Sequence, residues 1–75
     1  MMNRLTLEQL KTISKKKGLL PGKVKGKDSV QLTKGKNSAL VVITWDEFDA
    51  ILKRRGLAVY ESSGWMRIMR DMPPQ

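Results

Sequence analysis

The chain has 75 residues and a formal net charge of +8, and it contains neither cysteine nor histidine. A chain of this length forms a single domain, residues 1–75, with one modest core. Without Cys and His there are no disulfides, no usual zinc or haem ligands and almost no nucleophile–base pairs. We therefore expect no cofactor, no metal and no enzyme activity.

The excess positive charge lies in the first half of the chain. Residues 1–38 hold ten Lys or Arg against two Asp or Glu, whereas residues 39–75 hold five of each. Such an asymmetry attracts anionic partners. The longest apolar run, residues 39–43, is far shorter than the ~20 residues that span a bilayer. Residues 1–10 lack the apolar run of a signal peptide, so we expect a cytoplasmic protein with no membrane partner.

The first predicted element is a helix over about residues 7–17. Thr6 is its N-cap, and Gln9, three positions later, completes a capping box. Gly18 stands where a residue of left-handed conformation ends a helix. The lysines of its last turn complement the helix dipole, which gives them a structural explanation beside any binding role.

Two or three strands are predicted between residues 20 and 43. The run at residues 40–43 is rich in β-branched residues and apolar on both faces. This pattern predicts a central strand that is covered on both sides.

A comb of lysines within this region is the strongest functional signal. Lys23, Lys25 and Lys27 alternate with Val24 and Gly26. If the segment is extended, their ammonium groups lie on one side at intervals of roughly 6.6 Å, with Val24 turned inward. Lysine acts as a point charge, which suits non-specific contact with phosphates.

A second helix is predicted over about residues 45–55, with the same signals as the first. Thr44 is the N-cap, Glu47 completes the capping box and Gly56 ends the helix. An acidic cluster in its first turn, Asp46, Glu47 and Asp49, offsets the helix dipole and does not indicate a metal site.

The two helices belong to an apparent internal duplication. Residues 5–19 align without a gap on residues 43–57, an offset of 38 positions. This match favours two repeat halves, about 5–38 and 43–72, over two unrelated helices with common capping signals. The predicted fold class is α+β: tandem αββ-type units, with two capped helices packed on a small mixed or antiparallel sheet.

A β-hairpin is predicted over residues 57–69. Two registers stay open. A loop at residues 62–63 places Tyr60 opposite Trp65 and sorts the apolar residues onto one face. A type I turn with Gly64 in a bulge has better turn chemistry but sorts the faces less cleanly.

The last part of this hairpin also fits a helix. Trp65, Ile68, Met69 and Met72 form a helical stripe, although a strand is favoured. Met66, Met69 and Met72 would provide an apolar interface for a homodimer.

Tyr60, Trp65 and Arg67 form a second candidate site. On one face of the hairpin they make a stacking platform with a cation beside it, as single-stranded nucleic acid uses. The structural explanation, which is favoured, is a cross-strand pair of Tyr60 and Trp65 that stabilises the hairpin. The full set of predicted nucleic-acid-binding residues is Lys15, Lys16, Lys17, Lys23, Lys25, Lys27, Lys34, Lys36, Tyr60, Trp65 and Arg67.

Two resemblances also indicate nucleic acid. Residues 7–19, followed by Gly22 and Lys23, resemble the opening helix of the DNA-binding SAP motif, which would continue into a second helix where this chain has a Gly/Lys loop. Residues 47–70 resemble the αββ start of the HicA family of small RNA-cleaving toxins, with a fold like that of double-stranded-RNA-binding domains. In that family the catalytic histidine lies on the second strand of the hairpin, in the region where this chain has Trp65 and Met66. The cleavage activity therefore does not carry over.

These observations predict a small basic nucleic-acid-binding protein that contacts mainly the phosphate backbone with weak sequence specificity. The alternative is a small regulatory or inhibitory module that docks its basic half on an acidic protein partner.

Overall fold

A computed structural model describes residues 2–71 of the chain. The elements in chain order are β1 (Asn3–Arg4), α1 (Leu7–Lys17), β2 (Leu20–Val24), β3 (Val30–Thr33), β4 (Leu40–Val42), α2 (Trp45–Arg54), β5 (Leu57–Ser62) and β6 (Trp65–Arg70).

The strands form two antiparallel three-stranded sheets. One has the order β1-β5-β6 and the other β3-β2-β4. The α+β class and the antiparallel pairing are therefore confirmed, and each helix is followed by an antiparallel strand pair. The strands divide between two sheets, however, where the sequence suggested one. Whether the two halves arose by duplication stays a prediction.

Helix α1 begins and ends as predicted because its signals are local. The Thr6 hydroxyl accepts a hydrogen bond from the Gln9 amide, and the Gln9 side chain accepts one from the Thr6 amide, which completes the capping box. Gly18 has φ 69°. Its amide donates to the Lys15 carbonyl and the Leu19 amide to the Ser14 carbonyl, the two bonds of a Schellman stop.

Helix α2 has only half of its predicted capping box. Thr44 accepts from the Glu47 amide at 3.1 Å, but the reciprocal bond from the Glu47 side chain is not formed within residues 2–71. Glu47 instead lines a shallow hollow together with Lys23 and Arg54. Neither α1 nor α2 is long and apolar enough to cross a membrane.

The core lies where the two helices meet the inner faces of the strands. Its buried residues are Leu10, Phe48, Leu52 and Val59. Phe48 is 0% exposed and meets Trp45 edge-to-face, with ring centroids 5.4 Å apart. Phe48 thus lies in the core and Trp45 packs against it.

Strand β4 is an edge strand, so the prediction of a central strand covered on both sides was wrong. It pairs only with β2, which takes the central position of its sheet. Val41 and Val42 remain 46% and 52% exposed. The pattern misled because a local apolar run cannot report which strand becomes its neighbour.

Residues 65–70 form a strand, and the alternative helix was wrong. The loop of the hairpin is Ser63–Gly64, with φ 50° and 87°, as a type I′ turn requires. Tyr60 pairs with Arg67 and Ser62 with Trp65, so the register differs from both that stayed open. In the first of those registers Tyr60 would stand opposite Trp65. The observed register is displaced from it by two residues, so each side chain still lies on its predicted face of the sheet.

The methionines do not form the predicted cluster. Met66 packs against the core, whereas Met69, three positions on, pairs with Ala58 and faces the opposite side of the sheet. Met72 lies outside the described residues. The homodimer therefore stays a prediction without this proposed interface.

Candidate nucleic-acid interface

Lys15, Lys16 and Lys17 occupy the exposed last turn of α1. The Schellman stop ends the helix directly after them, and β2 begins at Leu20, three residues beyond Lys17. The three lysines are therefore tied to the start of the central strand of the β3-β2-β4 sheet.

The lysine comb is not extended over its whole length, which corrects that part of the prediction. Strand β2 ends at Val24, and the Lys27 amide donates to the Val24 carbonyl at 3.1 Å to close a β-turn. Gly26 has φ 74°, the left-handed value that such a turn takes from glycine. Lys25 and Lys27 are exposed in this turn, whereas Lys23 is half-buried against α2.

A clamp by two arginines fixes this turn to the end of α2. The Arg54 guanidinium binds both carboxylate oxygens of Asp28. Arg55 donates to the Asp28 carbonyl at 2.7 Å and to the Ser29 hydroxyl at 3.1 Å. The hydrogen bonds from Arg54 hold the pKa of the Asp28 carboxyl below its ordinary value.

The clamp brings together residues that the sequence analysis treated separately. Arg54 and Arg55, at the end of α2, lie beside the turn that carries Lys25 and Lys27. We call these four residues the turn cluster. No spacing pattern predicts this cluster, because Asp28 and Arg54 are 26 positions apart.

Lys34 and Lys36 lie in the loop between β3 and β4, on either side of Gly35. The loop is shaped by its own polar side chains, since Thr33 Oγ1 accepts from the Gly35 amide at 3.1 Å. Lys34 and Lys36 are exposed and line an open hollow of about 540 Å³. Thr33 pairs with Leu20, which places the loop at the same end of the sheet as the end of α1.

Seven of the eight predicted lysines thus divide into two groups at opposite ends of β2, and the eighth, Lys23, lies within the strand. We call the first group the loop cluster: Lys15, Lys16, Lys17, Lys34 and Lys36. The turn cluster lies at the other end, about 13 Å away along a five-residue strand at ~3.3 Å per residue. The prediction of a single comb is replaced by this two-ended arrangement.

The lysines of this region lack carboxylate partners. Four ion pairs form within residues 2–71, and they engage Arg4, Lys11, Lys53 and Arg54. None of the eight lysines from Lys15 to Lys36 takes part in one. Lys23 lies close enough to Asp28 to help lower the pKa of that carboxyl, whereas the other seven lysines are exposed and form no ion pair within residues 2–71.

Tyr60, Trp65 and Arg67 share the outer face of the β1-β5-β6 sheet, as predicted, but the two aromatic rings are not directly opposite each other. The Tyr60 hydroxyl donates to Asp71 at 3.3 Å. Arg4 also binds Asp71, at 2.8 and 3.0 Å, and holds the pKa of that carboxyl below its ordinary value. Trp65 remains 77% exposed.

The acidic residues of α2 do not form a metal site. Asp49 pairs with Lys53 at 3.0 Å, and Asp46 and Glu47 lie in the first turn. Across residues 2–71 there is no group of three or more Asp or Glu side chains that could hold a metal ion.

We compared the chain with protein-family models, with curated proteins and with solved structures, and none of the three comparisons found a match.

Proposed function

We propose that the protein binds nucleic acid, mainly through its phosphate backbone and with weak sequence specificity. The observation that carries this proposal is the set of eight lysines, Lys15 to Lys36, that have no carboxylate partner within residues 2–71. Exposed ammonium groups bind phosphates and release the counterions condensed on the nucleic acid, which favours association. A cytoplasmic location is part of the proposal.

The two-ended arrangement supports contact with several phosphates. The loop cluster and the turn cluster are separated by about 13 Å along β2, or roughly four base-pair steps of a duplex at 3.4 Å each. Lys25, Lys27, Lys34 and Lys36 stand on loops that contain Gly26 or Gly35, so their ammonium groups adapt to irregular phosphate positions. Lysine also lacks the planar fork that gives arginine its bidentate readout of bases, which is consistent with weak specificity.

A binding titration across salt concentrations tests the proposal. About five phosphate contacts predict a slope of log affinity against log salt of about −4 to −5 on duplex DNA. The measurement is fluorescence anisotropy of a labelled duplex, with RNA as a second ligand. Binding that does not respond to salt, or no binding to DNA or RNA at low salt, contradicts the proposal.

Paired variants locate the contacts. Replacing Lys34 and Lys36 with glutamine should make the slope shallower by about 1.8, since each lost contact removes about 0.9. The matched control replaces Lys11 and Lys53, which carry the same charge but pair with Glu8 and Asp49. An equal change in both variants would show that net charge alone governs binding and that the loop cluster is not a site.

The alternative function is docking of the basic half on an acidic protein, and the same titration tests it when poly-glutamate is added as a ligand. It predicts tighter binding to poly-glutamate than to DNA at equal salt, since its lysines would be arranged for carboxylates. Capture of a protein partner in defined stoichiometry after nuclease treatment would support that alternative.

A further inference from the structure

The exposed indole of Trp65 has no structural explanation in the fold. Trp65 is the first residue of β6, on the outer face of its sheet, and it stands opposite Ser62. The directly opposed pair with Tyr60 that would have explained it is not formed, because Tyr60 stands opposite Arg67. The ring contact within residues 2–71 joins two other side chains, Trp45 and Phe48. A large apolar ring is thus left 77% exposed to water.

A cation and an open cleft lie beside this ring. Lys17, the last residue of α1, extends to the hairpin turn, and its Nζ lies 3.9 Å from the point where a Cβ on Gly64 would stand. Lys17 and Trp65 both line a cleft of about 470 Å³, together with the apolar side chains of Leu19, Leu32 and Met66.

A second cation lies on the same strand as the indole. Arg67 is two residues from Trp65 on the same face of β6, about 6.6 Å along the strand, and it is exposed. The exposed indole therefore shares a cleft with one cation, from α1, and a strand face with a second cation, from β6.

We propose that an unpaired nucleobase stacks on Trp65 while its flanking phosphates bind Lys17 and Arg67, so that the preferred ligand is single-stranded nucleic acid. This inference rests on the proposed function and specifies the form of the nucleic acid. Every base has a π-face, so an exposed aromatic ring binds unpaired bases with little regard to sequence. In a duplex both faces of an internal base are already stacked, and the indole gains nothing from it.

The test compares a single-stranded oligonucleotide with a duplex of the same sequence. Trp65→Leu should weaken single-strand binding by about tenfold, as loss of one stacked base predicts, and change duplex binding by less than about twofold. The salt slope should stay the same, because no charge is removed. Trp65→Phe, which keeps an aromatic face, should retain most of the single-strand affinity. Lys17→Gln should make the slope shallower by roughly 0.7 on the single strand.

Fluorescence gives a second readout. Binding of the single strand should quench the exposed Trp65, and this change should disappear in Trp65→Phe, where Trp45 is the remaining tryptophan. Thermal melting checks that each variant is folded.

The outcomes separate the two proposals. If duplex and single strand both bind but Trp65→Leu weakens neither, or weakens both equally, the stacking site is refuted and the phosphate-binding function stands. If neither nucleic acid binds at low salt, the proposed function itself fails. If the single strand loses affinity alone and the quenching disappears with it, both are supported.

Discussion

Replacing Ser14 with alanine should raise the stability of the domain. Ser14 is 0% exposed within α1, and its hydroxyl oxygen has no hydrogen-bond partner within residues 2–71. A buried hydroxyl without a partner costs about 1–3 kcal/mol of desolvation. Alanine also has a higher helix propensity than serine, by about 0.5 kcal/mol. Since the removed oxygen leaves only a small void, we expect a net gain of about 1–2 kcal/mol.

Chemical denaturation with urea, followed by circular dichroism, measures this gain. For a domain of this size, each kcal/mol added to the free energy of unfolding raises the melting temperature by about 4–8 °C. The melting temperature of Ser14→Ala should therefore rise by roughly 5–15 °C. Thr12→Ala is the matched control, because its hydroxyl lies in the same helix but is exposed and donates to the Glu8 carbonyl at 3.0 Å. The control should change stability by less than about 0.5 kcal/mol. A loss of stability in Ser14→Ala would refute the reasoning, since it would mean that the hydroxyl has a partner, such as a buried water.

Two further substitutions test particular contacts. Gly22→Ala should destabilise the domain by about 1–2 kcal/mol in urea denaturation, because the new Cβ would stand 2.9 Å from Thr33 Cγ2 and 3.2 Å from the Gln31 carbonyl oxygen. Adding Thr33→Ser, which removes that methyl group, should recover part of the loss, and no recovery would contradict the proposed clash. Asp28→Asn should lower the melting temperature at pH 7, and the difference from the natural chain should shrink as the pH falls below about 4. The Asp28 pKa is lowered in the folded state by Arg54, so its contribution is present above the pKa of the unfolded chain and is lost on protonation. A constant difference from pH 7 to pH 2 would refute this link.

The helices were predictable because their signals are local. An N-cap such as Thr6 acts on the amide three positions later, and Gly18 ends its helix through bonds that reach back only a few residues. The hairpin was predictable for the same reason, since its faces alternate along each strand. The register of the hairpin was not predictable, for two reasons. Ser63 adopts a positive φ that serine rarely takes. In addition, the pattern of apolar residues is unchanged when one strand is displaced by two residues relative to the other.

The sheets and the candidate site depended on contacts distant in sequence. The apolar run of β4 predicted burial on both faces, but its position was decided by the pairing of β2 with two neighbours. The alternation of lysines resembled a strand, and the turn at Gly26 interrupted it. The clamp between Asp28 and Arg54 joins residues from the two halves of the chain, and no spacing rule connects them.

That clamp links the fold to the proposed function through charge. Residues 1–38 contain only two acidic side chains, Glu8 and Asp28. Glu8 lies 3.9 Å from Lys11, and Asp28 is bound by Arg54, a cation from the other half of the chain. Because both carboxylates of the basic half are engaged in this way, neither neutralises the loop cluster or the lysines of the turn cluster. The fold therefore positions these lysines with an arginine clamp and leaves their charge available to an anionic ligand.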